Sequence, residues 1–516
     1  EQRQLRFWFF DTVEEGRRVQ VAQEFFKTIV ADFPRDYITF IKQVMKLLQQ
    51  SFVEIQRIEV VMRLVDEGVV APHAKEYAES ESEVEAVTAA HVLDVLEQCF
   101  PNGLGVDNIA SVLRCTETEV LDFLLELQTR QVVQQLDSTG QWIRHDDSFL
   151  SHSSEGEQTL LQQQQHAMTS SRHVPRPPKK EQPTIAIVSA LFVEKLAVDA
   201  MIDAKETLHR YKSDGDSNVY TLGSMGEHRV VATKLSSVGH NRAAMTAAGS
   251  ITTRLLGNFQ EVEHVLVVGV GGGVAHLTDA ASHVRLGDVV VASSAWGSGS
   301  APPQAHSSAP AYTYCEKLEL DRHTEEVVGF VSKGWRQKDP ILVDTAKALL
   351  ETVPVGEAET EGHEALWKDS ADGALDGLNA SISAGGDYTF TRPENSTDLL
   401  ALPVGDGNVI TVAHPNERRT KPKVHLGPIG AGRVVTREHQ LRADFAQKFG
   451  LLAFDADFDS VIEAVEGSRL DSWTLVRGVA DYNDGMRNKQ WQAYAALQAA
   501  AFTKLLISAL PKTVQP

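Results

Sequence analysis

The chain has 516 residues, 42% apolar and 23% charged, a globular composition longer than one ordinary core requires, so about two to four domains are expected. A formal net charge of −21 works against nucleic acid or an anionic membrane as partner of the whole chain, while leaving room for a small basic pocket that takes phosphate. Cys99, Cys115 and Cys315 lack the paired spacing of a disulfide framework or zinc site, and no apolar run reaches membrane-spanning length; a cytoplasmic protein without metal or organic cofactor is expected.

In chain order, residues 1–80 are predicted to form an all-helical segment, with helices over Val19–Ala31, Asp36–Gln50 and Ile55–Glu67, where apolar residues recur every three or four positions. An acidic stretch, Glu79–Glu85, leads into a module spanning 81–150. Helices are predicted there at Ala89–Cys99, Val106–Leu113 and Glu117–Arg130, followed by strands Val132–Leu136 and Trp142–Arg144 around the turn at Asp137-Ser-Thr-Gly140. Three helices and a terminal hairpin resemble a winged helix. Charge makes DNA a poor partner for it, since between 81 and 150 three arginines stand against thirteen aspartates and glutamates. The candidate recognition helix even opens with Thr116-Glu-Thr-Glu119, which reads as a capping box. A protein partner for these N-terminal modules is therefore the expectation.

Residues 151–182, with a glutamine run at Gln162–Gln165 and the stretch Val174-Pro-Arg-Pro-Pro-Lys-Lys180, are expected to be a disordered linker. From 183 to 512 the pattern changes. Strands at Thr184–Ser189, Val230–Leu235, Val265–Val270 and Asp288–Ala292 alternate with helices at Ala197–Ala204 and Asn241–Leu256. That alternation predicts an α/β domain with a mixed, mostly parallel sheet flanked by helices, interrupted by loops at 298–312 and by Gly-rich loops near 370–387.

Several strand ends carry chemistry. The apolar run Leu475-Val-Arg-Gly-Val-Ala-Asp-Tyr482 delivers Arg477 and Asp481 to its end, where a carboxylate is costly unless it has a task. Glu194 follows the first strand, either reaching a cleft or favouring the dipole of a helix start. Val267-Val-Gly-Val-Gly-Gly-Gly-Val274 is not a dinucleotide fingerprint; its glycines imply close backbone approach, either to a ligand or between strand and helix. Arg242 adds charge to the helix start that follows Ser236-Ser-Val-Gly-His240, where an anion could sit.

Six segments in order carry a resemblance: Ser189-Ala-x-x-x-Glu194, Gly269-Val-Gly-Gly-Gly273, Leu286-Gly-Asp288, His425-Leu-Gly-Pro-Ile-Gly430, Phe454-Asp-Ala-Asp457 and Arg477-Gly-Val-Ala-Asp481. Together they resemble the purine nucleoside phosphorylase and nucleosidase superfamily. The closer likeness is to methylthioadenosine/S-adenosylhomocysteine nucleosidase-like domains of immune or signalling fusion proteins, and it covers about residues 183–510. The resemblance implies that Asp481 protonates purine N7 and that Glu194 orients the attacking water. It places Asp455 and Asp457 on the acidic pair whose second member binds ribose, and Gly271 and Gly272 beneath sugar and base. It also implies a homo-oligomer.

Three departures accompany it. Asp457 replaces a glutamate, Val270 replaces a small polar residue, and Arg433 stands near a position that stacks on the base. Arg242, Arg433 and Lys489, with Lys195 or Arg487, could together line one cleft and favour a phosphorylated purine such as ATP over methylthioadenosine. Expected function is hydrolytic release of a purine base. The alternatives are a phosphate-dependent phosphorylase using Arg242, and a catalytically silent nucleotide-sensing scaffold.

Overall fold

The computed structural model describes residues 2–63, 87–145 and 182–512, apart from 11–12, 14–16, 19–20, 23, 26, 29–43, 49–50, 53, 137–139, 211–217, 237–241, 277–279, 281–282, 295–309, 322–325, 352–362, 383–388, 406–407, 416–420, 433–438, 456–457 and 483–488. Two compact units emerge, Glu1–Gly68 and Val69–Pro516.

The first unit is not all-helical. Strand β1 (Gln2–Phe9) pairs antiparallel with β2 (Ile55–Arg63), so the helix expected over Ile55–Glu67 is a strand where it is described. Helix is present at 17–18, 21–22, 24–25, 27–28 and 44–48, which covers described parts of the other two predicted helices. Val21, Phe25, Val44, Phe52 and Ile55 form its core, with Phe25 edge-on to Phe52 at 5.2 Å. The misassigned segment is a short apolar run whose spacing suits either period, and pairing with β1 decides it.

The second unit begins with α1 (Ala89–Cys99), α2 (Val106–Leu113) and α3 (Glu117–Thr129), then β3 (Val133–Gln135) paired antiparallel with β4 (Trp142–Arg144). These elements fall where the sequence predicts them. Val92, Leu96, Ile109, Leu124, Leu127 and Trp142 close their core. Thr116 and Glu119 form the expected capping box, the Thr116 amide donating to Glu119 Oε2 at 2.9 Å. The expected linker lies almost wholly outside the described residues.

The α/β part runs β5 (Ile185–Ser189), α4 (Phe192–Met201), β6 (Asp203–Arg210), β7 (Asn218–Met225), β8 (His228–Lys234), α5 (Arg242–Asn258), β9 (His264–Gly273), β10 (Val289–Ala292), β11 (Tyr312–Asp321) and β12 (Glu326–Trp335). It continues through α6 (Ile341–Glu351), α7 (His363–Ile382), β13 (Leu400–Gly405), β14 (Asn408–Val412), β15 (Val424–Gly427), β16 (Ile429–Ala431), α8 (His439–Phe449), β17 (Ala453–Phe454), α9 (Asp459–Gly467), β18 (Ser472–Asp481) and α10 (Lys489–Ala509). Two expectations are corrected. The helix placed at Ala197–Ala204 starts earlier, at Phe192, and stops at Met201, because Ile202 turns extended (φ −84°, ψ 124°) and β6 begins at Asp203. Residues 370–382, expected as Gly-rich loop, belong to α7, whose Trp367, Ala371 and Leu378 are buried.

Among the described residues, twelve strands form one mixed sheet in the order β12-β11-β16-β17-β9-β5-β8-β7-β6, with β18 on β9, β10 on β18 and β15 on β10. Parallel pairs hold the middle: β8, β5, β9 and β18 all run the same way. Apolar clusters cover both faces, which is why the central strands read as continuous runs such as Val265–Val268. The sheet forks at β9. Strand β5 accompanies it only as far as the Val188–Val267 pair, and β17 takes up the same partner at Gly272 and Gly273.

Helix α10 lies so close to β18 that a Cβ on Gly478 would stand 2.0 Å from the Ala495 carbonyl oxygen. Backbone on both sides leaves no side chain to rotate away. Gly478→Ala is expected to destabilise the domain by about 1–3 kcal/mol, read as a lower urea midpoint; an unchanged midpoint would contradict this packing.

Candidate active site

The fork in the sheet opens the candidate site. Between the end of β5 and the start of β17, the Val270 amide is free of ladder pairing on that side and donates to Glu194 Oε1 at 2.7 Å. Glu194 sits in the first turn of α4 and curls back, so that Oε2 accepts the Ala190 and Leu191 amides, both at 2.8 Å. A carboxylate offers about four acceptor positions. Three are filled by backbone, which among the described residues leaves one on Oε1. Glu194 is 2% exposed. Burial pushes its pKa up, opposed by the Arg477 guanidinium and the three amides.

Arg477 lies on β18, in register with Gly269. It is 1% exposed, forms an ion pair with Asp455, and holds its guanidinium 4.1 Å above the Phe458 ring. A Cβ on Gly269 would stand 2.4 Å from Glu194 Oε1 and 2.5 Å from Arg477 Nη1. Glycine is thus required here by the two charged side chains. At Gly271 the same test meets the Phe454 carbonyl of β17 at 2.6 Å. Close approach in this Gly-rich strand serves the protein's own groups at both positions. Gly272 pairs with Phe454 on one side and Asp481 on the other.

Asp455 is also enclosed. Its Oδ2 accepts the Tyr312 hydroxyl at 2.7 Å and the Phe458 amide at 3.2 Å, and its other oxygen takes Arg477. Its carboxylate therefore anchors Arg477. Burial and the neighbouring carboxylates keep the Tyr312 phenol protonated, well above its usual value.

Asp481 closes β18 and is half-buried, unlike the fully enclosed Glu194 and Asp455. A bulge lies beside it: Val479 pairs with Gly271 and Asp481 with Gly272, which makes Ala480 the extra residue. Bulges re-aim the side chains next to them. The following residue is pinned, since the Tyr482 hydroxyl donates to Asp398 and accepts the Leu286 amide at 3.2 Å. Glu194 meets β9 at Gly269 and Val270, and Asp481 meets it at Gly272. That offset of two to three residues is roughly 7–10 Å at about 3.3 Å per residue.

The fork thus brings Glu194, Arg477, Asp455, Gly271, Gly272 and Asp481 to one region of β9. Arg242 is the first residue of α5, but its side chain, like that of Lys489, lies outside the described set, as do Arg433 and Asp457 altogether. Gly269 opens the glycine segment read from sequence, whereas Tyr312 and Phe458 carry the geometry and were not singled out there. Phe458 directly follows the Asp-Ala-Asp segment, whereas Tyr312 lies 143 residues from Asp455 with no local signal.

Residues 77–146 match the family model of the winged helix-turn-helix domain. The chain is 27% identical over 346 residues to a nucleotide-binding leucine-rich repeat (NLR)-like protein of Hyaloscypha variabilis, a match covering 65% of this chain and 30% of that relative. The chain thus spans under a third of that relative's length. Similar solved structures include the 5'-methylthioadenosine/S-adenosylhomocysteine nucleosidase of Neisseria meningitidis, at 13% identity and TM-score 0.36, covering 64% of this chain and 100% of the other. Futalosine hydrolase of Helicobacter pylori aligns at 13% identity and TM-score 0.35, covering 64% and 99%. No helix among the described residues is long and apolar enough to cross a membrane.

The buried charges rank two substitutions. Arg477→Met leaves Asp455 and Glu194 uncompensated and is expected to cost about 3–5 kcal/mol. Tyr312→Phe removes one donor from Asp455 and is expected to cost about 1–3 kcal/mol. Chemical denaturation of both variants checks the order, and a Tyr312 effect exceeding that of Arg477 would contradict it.

Proposed function

We propose that the chain hydrolyses the N-glycosidic bond of a purine nucleoside or nucleotide and releases the base. The observation that carries this is the single acceptor position left on Glu194 Oε1: three amides hold the carboxylate still, and the fourth position can orient one water. In the proposed step the water oxygen bonds to the anomeric carbon as the bond to purine N9 breaks. The water's proton passes to Glu194, and Asp481 donates a proton to the departing base at N7. A positioned acid contributes about 10²–10⁴-fold.

Phosphorolysis is disfavoured by charge. The arginine nearest Glu194 is committed to Asp455 and Phe458, and a buried carboxylate would repel phosphate. Ribose recognition by Asp457 and contacts from Arg242 and Arg433 belong to this proposal, with an ATP-type substrate favoured by those cations and a methylthioadenosine-type one by the overall resemblance. The winged-helix module supports a regulated effector. Its α3 exposes Leu121 and Leu125 one turn apart, flanked by the exposed Glu117, Asp122 and Glu126, a face for a basic, partly apolar protein surface rather than DNA. The NLR-like relative is in keeping with a signalling or immune setting.

Adenine release is expected from at least one of ATP, AMP, adenosine, methylthioadenosine and S-adenosylhomocysteine; release from none would overturn the proposal, and none from ATP would remove the phosphorylated substrate. The pH profile gives a second check. Glu194 acts ionised, and burial raises its pKa above the ordinary 4.5. Activity should therefore fail as pH drops while ordinary carboxylates are still charged, and an acid limb of kcat/KM at or below that ordinary value would contradict the assignment.

A further inference from the structure

The winged-helix module is seated on the turn that presents Glu194. Phe100, just past the end of α1, packs edge-on against Phe192 at 5.2 Å, and these two with Ile143 and Val219 form a closed apolar cluster. Lys195 approaches the same ring, its Nζ 5.7 Å from the Phe100 centroid. Phe192 and Lys195 are three residues apart on α4 and share a face. Glu194 lies between them in sequence. Arg144 of β4, held by Glu97 at 3.0 Å and by the Val132 carbonyl at 2.6 Å, covers Phe192 from the module side at 5.2 Å.

A second connection runs through Lys234. This lysine is 3% exposed and directs its ammonium at the end of α1, donating to the Gln98 carbonyl at 3.2 Å, the Phe100 carbonyl at 2.9 Å and the Leu235 carbonyl at 2.8 Å. All three of its donors are used, and two close carbonyls that a helix terminus leaves open. On the α/β side, Lys234 ends β8 in register with Ser189, and the Leu235 amide donates to the Ser189 carbonyl at 2.8 Å. Ser189 is followed by Ala190 and Leu191, whose amides hold Glu194.

We propose that the winged-helix module is a positioning element of the candidate active site: Phe100, through Phe192 and Lys195, and the α1 carbonyls, through Lys234, hold the turn that keeps Glu194 in its amide cradle. The inference rests on the proposed role of Glu194 for its effect on turnover, but not for the coupling itself. Phe100 and Lys234 touch no reacting atom. A partner bound to the exposed face of α3 would act on Glu194 through this seam.

The test uses the full chain with Phe100→Ala, Lys234→Met and the milder Phe192→Leu. Two readouts are kept: steady-state kinetics, and amide hydrogen exchange in peptides spanning 186–196, 264–274 and 472–481. Phe100→Ala is expected to lower kcat by ~10²-fold, as a misplaced group does, with KM within about two-fold. Exchange at 186–196 and 264–274 should quicken while 472–481 stays protected, which marks the sheet as intact. Should Phe100→Ala lose protection everywhere, Phe192→Leu decides, with a smaller shift of the same kind expected. Wild-type kcat and wild-type exchange in an intact variant overturn the proposal. If the wild type releases no base from any purine compound, the reading of the site fails separately, and unchanged exchange at 186–196 and 264–274 still overturns the coupling.

Discussion

The structure turns on one constraint: Glu194 and Arg477 are buried together at the point where β9 changes partners. Strand β5 ends after Val188 has paired with Val267, β17 begins opposite Gly272, and in the interval the Val270 amide is available to a side chain. Glu194 takes it. Everything near the fork then adjusts to a carboxylate and a guanidinium that are both buried. Gly269 gives up its side chain, Asp455 neutralises Arg477, and Tyr312 with the Phe458 amide satisfies Asp455.

Such a set is a poor way to stabilise a fold, because desolvating the charges costs about what their attraction returns. Its value lies in geometry. Three backbone amides leave Glu194 little freedom and one open acceptor position, while the bulge at Ala480 and the anchored Tyr482 fix the end of β18 on both sides of Asp481. The enclosed carboxylate and the half-buried one therefore occupy different environments. The same logic extends beyond the α/β fold. With Phe100 in contact with both Phe192 and Lys195, the winged-helix module is built into the support of that turn.

Much of this architecture was legible in sequence because it is periodic or punctuated. The winged-helix elements and the strands β5, β8, β9 and β10 fell close to their predicted places, and the Thr116–Glu119 capping box announced the start of α3. Ile55–Arg63 failed because a short apolar run fits two periods until its partner is known, and that partner, β1, is far away in sequence. The Gly-containing stretch around 370–382 reads as loop in sequence, yet burial of Trp367, Ala371 and Leu378 outweighs the helix penalty of its glycines. At the site, strand-end position pointed to Glu194 and Asp481. The amide cradle, the Tyr312–Asp455 bond and the Lys234 cap depend on contacts between distant segments, which no local pattern encodes.

The most direct measurement of the central claim is product analysis on the wild type beside Glu194→Gln and Asp481→Asn, with and without inorganic phosphate. The account predicts free base and free sugar at a rate indifferent to phosphate, falling about 10²–10⁴-fold in each variant. A sugar 1-phosphate product, or a Glu194→Gln enzyme as fast as the wild type, would contradict it.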